Sequence, residues 1–362
     1  EDLPVLGDGS GLSPDERFYR EEVQLALRNR GMPLELMRDP ITPLGLHYLL
    51  AHYDIPAPGP DWQLTLTGLL SAPMRLSLAE IRARPAVTQA VTLECAGNGR
   101  ALLSPRSLNQ PWFTEAVSTA EWTGTPLAGL LEEAGLGAAT VDVVFTGLDW
   151  GVQGGEVQPY QRSLSKEEAL REEVLLVYAM NGEPLPAQHG YPLRLLVPGW
   201  YGMASVKWLC SLEAVAERFE GYQMTGAYRD SQSADHPGEP VSLMKPRALM
   251  VPPGIPDFPS RARVLAAGAI VLQGRAWVGR GRIERVELST DDGRSWQDTE
   301  LEAPPSPLAW YGWSSLWHAE PGRHVLCVRA TDERGRTQPL DQPWNYQGMA
   351  NNMVQRVPVI VT

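Results

Sequence analysis

The hydrophobic and polar positions predict a mixture of strands and helices over the first two thirds of the chain. Residues 62–70 alternate as a half-buried strand does, and residues 90–94 form a short β-rich run that ends at Cys95. Capping boxes at Ser77 and Ser165 predict short helices between such runs. The other predicted strands are 141–146, 174–178, 193–197 and 207–215, and the other predicted helices begin at Ser13 and Thr125. This mixture is typical of an α+β domain.

The pattern changes in the last third of the chain. Residues 232–259 are rich in Pro, Gly, Asp and Ser, which predicts a connecting segment. The strands predicted after it are 275–278, 283–290 and 323–331, with a hairpin at Asp292-Gly293. Short strands separated by such turns indicate a β-sandwich. We therefore predict three parts, which are an α+β domain at 1–235, a linker at 236–262 and a sandwich at 263–362.

Composition excludes several classes of protein. The net charge of −12 argues against a nucleic-acid partner, because phosphate backbones are bound by basic surfaces. No apolar run is long enough to span a bilayer, so no transmembrane segment is predicted. The three cysteines form no CxxC pair, which argues against a disulfide framework or a zinc ribbon. An anionic ligand would need a local positive pocket in an acidic protein.

The loop that begins at Cys95 is the sharpest candidate site. The cysteine ends a predicted strand, small residues follow it, and Arg100 comes five positions later. Small residues allow the backbone to approach a bulky ligand, and a nearby cation favours the thiolate, which is a soft metal ligand. From spacing alone, a buried core cysteine and a metal ligand or nucleophile are equally good interpretations.

A second candidate is basic. Arg194 and Lys207 lie in strongly apolar strands, where an unpaired charge is unfavourable. They either pair with buried carboxylates or hold a phosphorylated or anionic ligand, and the residues alone favour neither. His189 by itself is more typical of a structural histidine.

Several stretches, in chain order, resemble signature sequences of the sulfite oxidase family. They are 95–98, Trp112, 118–124, 147–149, 180–186, 189–207 and 344–346. The resemblance implies a molybdopterin-binding α+β domain followed by an immunoglobulin-like dimerisation domain. It also implies molybdenum-molybdopterin as the cofactor.

Carried over by position, the resemblance implies that Cys95 is the protein ligand of the molybdenum. Tyr228 falls at the active-site tyrosine, and Arg100 and Trp112 match residues that line the substrate-anion pocket. The residues implied to bind the pterin and its phosphate are Tyr48, His52, Asp149, His189, Arg194, Ser205, Val206 and Lys207.

Three positions depart from the family pattern. Leu50 and Gln347 stand where vertebrate-type sulfite oxidases place substrate-binding arginines, and Gly99 replaces the first of two arginines usual after the asparagine. A lost charge-assisted hydrogen bond weakens anion binding by roughly 1.5–3 kcal/mol. The departures therefore favour either another substrate or compensation by other cations. The candidates for compensation are Arg100, Arg229 and Lys207.

The activity that the resemblance implies is oxidation of sulfite to sulfate by oxygen-atom transfer. The sequence shows no CxxCH haem motif and no cytochrome b5-like region, so electrons are expected to pass to a separate acceptor such as a cytochrome c. One alternative is sulfoxide reduction, or oxidation of another sulfur compound, on the same scaffold. The other is a cofactor-free binding protein.

The expected assembly is a homodimer. The sequence begins at Glu1 without a methionine, which fits a removed export signal and equally a trimmed sequence. A periplasmic or exported location is expected, with a cytoplasmic one as the alternative.

Overall fold

The structure, a computed structural model, describes residues 18–362. Helix α1 spans Arg20–Arg28, within the helix predicted between Ser13 and Gly31, and the Ser13 capping box lies outside the described residues. The later helices are α2 Leu78–Arg82, α3 Leu127–Glu133, α4 Lys166–Ala169 and α5 Tyr222–Thr225. Short 3-10 helices lie at Leu34–Arg38, Leu44–Leu46, Arg100–Leu102, Ala187–His189 and Gly202–Ala204. Among the described residues, no helix is long and apolar enough to cross a membrane.

The predicted caps of α2 and α4 are confirmed. The Ser77 hydroxyl accepts a hydrogen bond from the N–H of Glu80 at 3.3 Å, and the Glu80 carboxylate accepts one from the N–H of Ser77 at 2.8 Å. Ser165 accepts from the N–H of Glu168 at 3.3 Å. These bonds satisfy N–H groups that a helix leaves unpaired in its first turn.

Two β-sheets form the body of the first domain. Their strands are β1 Gln63–Gly68, β2 Met74–Ser77, β3 Val87–Glu94, β4 Val117–Pro126, β5 Asp142–Gln153, β6 Glu156–Ser165, β7 Leu175–Met180, β8 Glu183–Pro184, β9 Arg194–Leu196 and β10 Leu209–Val215. One sheet has the order β2-β1-β10-β5-β6, and the other has the order β3-β4-β7-β8, with β9 also paired to β7. Side chains of both sheets, including Leu66, Phe145 and Leu176, form one hydrophobic core.

Strands β5 and β10 differ from their predicted bounds. β5 continues to Gln153 because it forms a hairpin with β6 through Gly154 and Gly155, whose φ angles of 65° and 86° suit glycine. β10 begins only at Leu209, because Trp208 has a left-handed backbone with φ 48°. Lys207 therefore lies on a bend before the strand rather than inside it.

The last third of the chain is a β-sandwich. Its strands, with two short ones before it, are β11 Arg229–Asp230, β12 Glu239–Pro240, β13 Arg247–Met250, β14 Ile255–Pro256, β15 Arg263–Leu265, β16 Gly268–Trp277, β17 Ile283–Ser289, β18 Gln297–Asp298, β19 Glu300–Glu302, β20 Tyr311–Ala319, β21 Gly322–Asp332 and β22 Gln355–Val361. The sheets have the orders β13-β16-β20-β19 and β14-β15-β22-β21-β17-β18. The predicted architecture, an α+β domain followed by a β-sandwich, is confirmed.

The segment predicted as a linker, 236–262, is not free of regular structure. Strand β13 lies in it and pairs with β16 over Arg247–Met250, so this part belongs to a sheet of the sandwich. The Pro- and Gly-rich composition did not indicate this strand, although all four of its residues are buried. The domain boundaries at 235 and 262 stay predictions.

Candidate active site

Cys95 lies directly after β3, at the start of a tight loop. Its N–H donates to the carbonyl of Ala116 at 2.9 Å, and the N–H of Asn98 donates back to the carbonyl of Cys95 at 3.0 Å. The Asn98 side chain donates to the carbonyl of Thr114 and accepts from the N–H of Ala116, each at 3.1 Å. The thiol is free and its residue is 7% exposed. The loop therefore holds one reduced sulfur in a fixed place.

The sandwich domain supplies the other side of this loop. The N–H of Ala350 donates to the carbonyl of Ala96, and the side-chain amide of Asn351 donates to the carbonyl of Gly99, both at 2.7 Å. Gly99 has φ +95°, and a Cβ there would lie 2.9 Å from the Asn351 side chain. The arginine that the family pattern places at this position does not fit this backbone without a shift.

A cavity opens beside the Cys95 thiol, and we refer to it as the inner cavity. It encloses about 670 Å³ of space, its open mouth included. The predicted site residues that line it are Tyr48, His52, Cys95, Asp149, His189, Arg194, Ser205, Lys207 and Tyr228. Residues from five separate parts of the chain are therefore brought together around one space.

Arg194 and Lys207 bring positive charge to the inner cavity. Arg194 donates to the carbonyls of His189 and Ser205 at 3.0 and 3.3 Å, and Lys207 donates to that of Leu50 at 2.6 Å. Neither cation forms an ion pair with a carboxylate of the described residues. Burial lowers the pKa of Arg194 to about 10 and that of Lys207 to about 7. The structure thus favours the second interpretation of these cations, in which they hold an anionic ligand.

Two histidines in the inner cavity are neutral. Burial lowers the pKa of His47 to about 3 and that of His189 to about 2. Their rings lie 5.2 Å apart, edge to face, and the Nε2 atom of each is buried without a hydrogen-bond partner among the described residues. Such atoms are normally paired in a folded protein. Each imidazole is therefore available to a polar ligand.

Asp149 reaches the inner cavity from an irregularity in β5. The register of β5 against β6 shifts between Thr146 and Trp150, and a bulge of this kind redirects side chains. The Asp149 Oδ1 atom is buried without a partner in the described part of the chain. Burial raises the pKa of Asp149 to about 6, and Lys207 opposes the rise.

Tyr228 shares a hydrogen bond with His52. The Tyr228 hydroxyl and the His52 Nε2 atom are 2.8 Å apart, and burial lowers the pKa of His52 to about 4. Tyr228 is 6% exposed and has a left-handed backbone with φ 58°, a conformation unfavourable for a bulky residue. A strained residue held by a buried hydrogen bond is typical of functional sites.

A second pocket, the outer pocket, shares Leu50, His52, Cys95 and Tyr228 with the inner cavity. Arg100 lines it and donates to the carbonyl of Gln347 at 2.9 Å and to that of Gln110 at 3.4 Å. These acceptors are neutral, so they leave the positive charge of Arg100 uncompensated. Burial raises the pKa of the Cys95 thiol, and Arg100 is the strongest of the groups that lower it.

The remaining predicted site residues differ in where they lie relative to the inner cavity and the outer pocket. Leu50 and Gln347, the departures from the family pattern, both line the outer pocket, so they occupy the places where the pattern puts cations. Trp112 lines neither space; it packs in the same hydrophobic cluster as Cys95, and its indole N–H lies close enough to the thiol to lower the pKa of Cys95. Val206 lies in the core of the first domain, and its side chain does not line the inner cavity.

Sequence reasoning missed three residues at this site, which are His47, Tyr160 and Arg162. His47 immediately precedes the predicted stretch at Tyr48, and Tyr160 lines the inner cavity. The signal for Tyr160 and Arg162 was their spacing of two in β6, which places both on one face of the strand. Only the end of that strand was recognised, as the cap of α4.

Comparisons with known proteins agree with this geometry. Residues 52–223 match the oxidoreductase molybdopterin binding domain, and residues 258–362 match the Mo-co oxidoreductase dimerisation domain. A sulfite oxidase of Arabidopsis thaliana is 31% identical over 88% of this chain and 87% of its own length. A nitrate reductase of Hordeum vulgare is 33% identical over 89% of this chain, which spans only 39% of that enzyme. The crystal structure of the sulfane dehydrogenase SoxCD from Paracoccus pantotrophus has the same fold, with a TM-score of 0.80 and 24% identity over 98% of this chain and 92% of that one.

The two domains and their matches define a molybdopterin-binding oxidoreductase with a dimerisation domain. More specifically, the chain belongs to the sulfite oxidase family. Molybdenum-molybdopterin is its cofactor.

The residues around the inner cavity fit this cofactor. The unpartnered Nε2 atoms of His47 and His189 and the unpartnered carboxylate oxygen of Asp149 are polar groups suited to the polar edges of a pterin. Arg194 and Lys207, without carboxylate partners among the described residues, suit a phosphate. A single thiolate, that of Cys95, suits a metal whose other ligands belong to a cofactor.

Proposed function

We propose that the protein oxidises sulfite to sulfate and passes the electrons to a separate acceptor such as a cytochrome c. The observation that carries the proposal is the position of Arg100, a buried cation with neutral partners in the outer pocket, next to the Cys95 thiol. A small oxyanion placed there is close to the one soft metal ligand of the site. Sulfite plus water gives sulfate, two protons and two electrons.

In this proposal the inner cavity holds the cofactor. Arg194 and Lys207 bind the phosphate, His189 and Asp149 bind the pterin, and Cys95 ligates the metal as a thiolate. When bound, the molybdenum cofactor supplies oxygen-atom transfer and takes up two electrons. Tyr48, His52 and Ser205 also line the cavity and complete its polar wall.

The residues of the outer pocket act on the substrate. Arg100 orients the anion through the N–H groups that its carbonyl partners leave free, and a charge-assisted bond of this kind is worth roughly 1.5–3 kcal/mol. The Tyr228 hydroxyl donates to an oxygen of the substrate, with neutral His52 as its partner at 2.8 Å. Trp112 packs beside Cys95 and excludes water from the sulfur.

A steady-state assay tests the proposal. The molybdenum-loaded protein is given sulfite with ferricyanide or cytochrome c as acceptor, and in parallel a sulfoxide or nitrate with a reduced dye. We expect sulfite turnover, and a decrease of about 10- to 100-fold in kcat/KM for Arg100→Gln, since one charged hydrogen bond is lost. Arg263→Gln is the matched control, because Arg263 is also buried, donates to backbone carbonyls and lies outside the residues that line both spaces. Turnover of the sulfoxide or of nitrate without sulfite oxidation would reject the proposal.

A second candidate function is carried by Leu50 and Gln347. Both line the outer pocket in place of arginines. The loss of these positive charges weakens the binding of a less negatively charged substrate less than it weakens the binding of sulfite. Reduction of a sulfoxide, or oxidation of another sulfur compound, meets this condition. The assay described above separates this candidate from sulfite oxidation.

Two further proposals concern the state of the protein in the cell. The match of residues 258–362 to a dimerisation domain supports a homodimer, which sedimentation equilibrium would test. A periplasmic location stays a prediction, and fractionation of the source cells would test it.

A further inference from the structure

Arg162 is a buried arginine behind two tyrosines of the site. Successive side chains of a strand point to opposite faces, so Tyr160 and Arg162 of β6 share one face. Tyr160 lines the inner cavity, and Arg162 is 3% exposed. The guanidinium carbon of Arg162 lies 5.5 Å from the centre of the Tyr228 ring.

The positive charge of Arg162 has no compensating carboxylate among the described residues. One nitrogen donates to the carbonyl of Gln223, and the Nε atom is buried without a partner. Asp142 lines the same cavity behind Tyr228, but its carboxylate is not within ion-pair distance of Arg162; its Oδ2 atom accepts from Ser163 at 3.0 Å and from the N–H of Phe219 at 3.1 Å. Burying an unpaired guanidinium is unfavourable, so an anion bound nearby would be stabilised by the charge of Arg162.

Tyr228 lies between the guanidinium of Arg162 and the outer pocket, where the substrate is proposed to bind. It lines the inner cavity, the outer pocket and the cavity that contains Arg162. An aromatic ring and a buried surrounding screen charge much less than water does, so the field of Arg162 reaches the outer pocket. In agreement, Arg162 opposes the rise that burial causes in the pKa of Tyr160 and of Tyr228.

We propose that Arg162 makes the outer pocket selective for a small oxyanion by supplying positive charge from behind Tyr228, in place of the cations absent at Leu50 and Gln347. The inference rests on the proposed function and names the residue that gives it substrate specificity. Arg162 does not touch the substrate. It is a positioning residue that acts through the field at Tyr228 and through the strength of the Tyr228 hydroxyl as a donor.

Binding of sulfate, the unreactive product, tests the inference without turnover. Isothermal titration calorimetry of the molybdenum-loaded protein measures the Kd of sulfate and of dimethyl sulfoxide, a neutral ligand. Arg162→Gln removes the charge and keeps a donor for the carbonyl of Gln223, and Arg162→Lys keeps the charge. Arg263→Gln is the matched control, because Arg263 is also buried, donates to backbone carbonyls and lies in the sandwich.

We expect Arg162→Gln to weaken sulfate binding about tenfold and Arg162→Lys to weaken it less than about threefold. Dimethyl sulfoxide binding and the Arg263→Gln protein should show no change. Equal sulfate affinity in Arg162→Gln and wild type would overturn the inference, as would equal losses in the Gln and Lys variants or no sulfate binding by wild type.

Two further measurements separate a failure of this inference from a failure of the variant to fold and from a failure of the proposed function. If Arg162→Gln does not fold, the ionic-strength dependence of sulfate binding by wild type decides, because a buried charge is screened weakly and a steep dependence would contradict its role. Sulfate binding that depends on Arg162 in a protein without sulfite turnover would reject the proposed function and leave the inference standing.

Discussion

Arg247 donates a hydrogen bond to the Glu94 carboxylate at 2.6 Å, and both side chains are completely buried. Glu94 is the residue before Cys95, and Arg247 begins the first strand of the sandwich. The second oxygen of Glu94 accepts from the Trp277 indole at 2.9 Å, and Asn98 donates to the first oxygen at 3.0 Å. One carboxylate therefore joins both ends of the Cys95 loop to the other domain.

We expect Glu94→Gln to destabilise the protein by about 3–5 kcal/mol, because it leaves the Arg247 charge buried without its partner. An amide also places a donor against one of the groups that now donate to the carboxylate. Urea denaturation followed by fluorescence measures the free energy of unfolding. Glu133→Gln is the control, since Glu133 pairs with Arg84 on the surface, where a pair is worth about 0–1 kcal/mol. Similar losses in the two variants would contradict the role of the buried pair.

Replacement of the Cys95 sulfur by oxygen should abolish turnover and preserve the fold. Cys95→Ser removes the thiolate and changes little volume in a loop held by backbone hydrogen bonds. We expect a loss of at least roughly 100-fold in activity, with an altered absorption spectrum and a reduced molybdenum content. Cys210→Ser is the control, because Cys210 contacts the carbonyl of Thr146 in β5 and does not line the inner cavity. An active, metal-replete Cys95→Ser protein would be incompatible with metal ligation by this residue.

Lys207 should lower the free energy of unfolding of the cofactor-free protein by an amount that depends on pH. Its pKa of about 7 in the folded state is below the ordinary lysine value of 10.5, so the folded state binds this proton less tightly than the unfolded state. This loss of stability is largest below pH 7 and disappears as the pH rises toward 10.5. Lys207→Met should therefore stabilise the cofactor-free protein most below pH 7 and not at all near pH 10.5.

Thermal unfolding of both proteins between pH 6 and pH 10.5 measures this difference. Inorganic phosphate should raise the melting temperature of wild type more than that of Lys207→Met, because a bound anion compensates the ammonium charge and only Arg194 remains in the variant. Asp149, whose pKa is about 6, is partly protonated at pH 6 and mostly ionised from pH 7 upward, so the pH dependence above pH 7 is assigned to Lys207. A stability difference independent of pH would contradict the prediction, because it would mean that burial does not lower the pKa of Lys207.

A cation at position 50 should strengthen anion binding. Leu50 lines both the inner cavity and the outer pocket, so Leu50→Arg adds a charge where the substrate lies. We expect KM for sulfite to fall by about 10-fold, the effect of one charge-assisted hydrogen bond. Leu50→Met, of similar volume and without charge, should leave KM unchanged. A lower KM in the methionine variant would show that packing, and not charge, was responsible.

Local signals in the sequence predicted the secondary structure around the site. Ser77 and Ser165 cap their helices as expected. These features depend on a few adjacent residues. Strand β13 was missed because its burial depends on pairing with β16, which no local pattern reveals.

The site itself was predicted in part. The resemblance identified the residues that line the inner cavity, and Arg194 and Lys207 could be singled out as charges in apolar strands. Arg162 could not be assigned from sequence, because its importance lies in the absence of a carboxylate partner and in its place behind Tyr228, both of which depend on the folded chain. Val206 was predicted together with its neighbours, although its side chain packs in the core.

The hydrogen bonds from Ala350 and Asn351 to the Cys95 loop join parts of the chain that are far apart in sequence. A ribosome releases residue 96 long before residue 350, so a nascent chain cannot complete the loop during its synthesis. These contacts to the Cys95 loop can form only once residues 350 and 351 of the sandwich domain have been made. We therefore expect the cofactor to enter a completed site only after the chain has been made at least as far as residue 351.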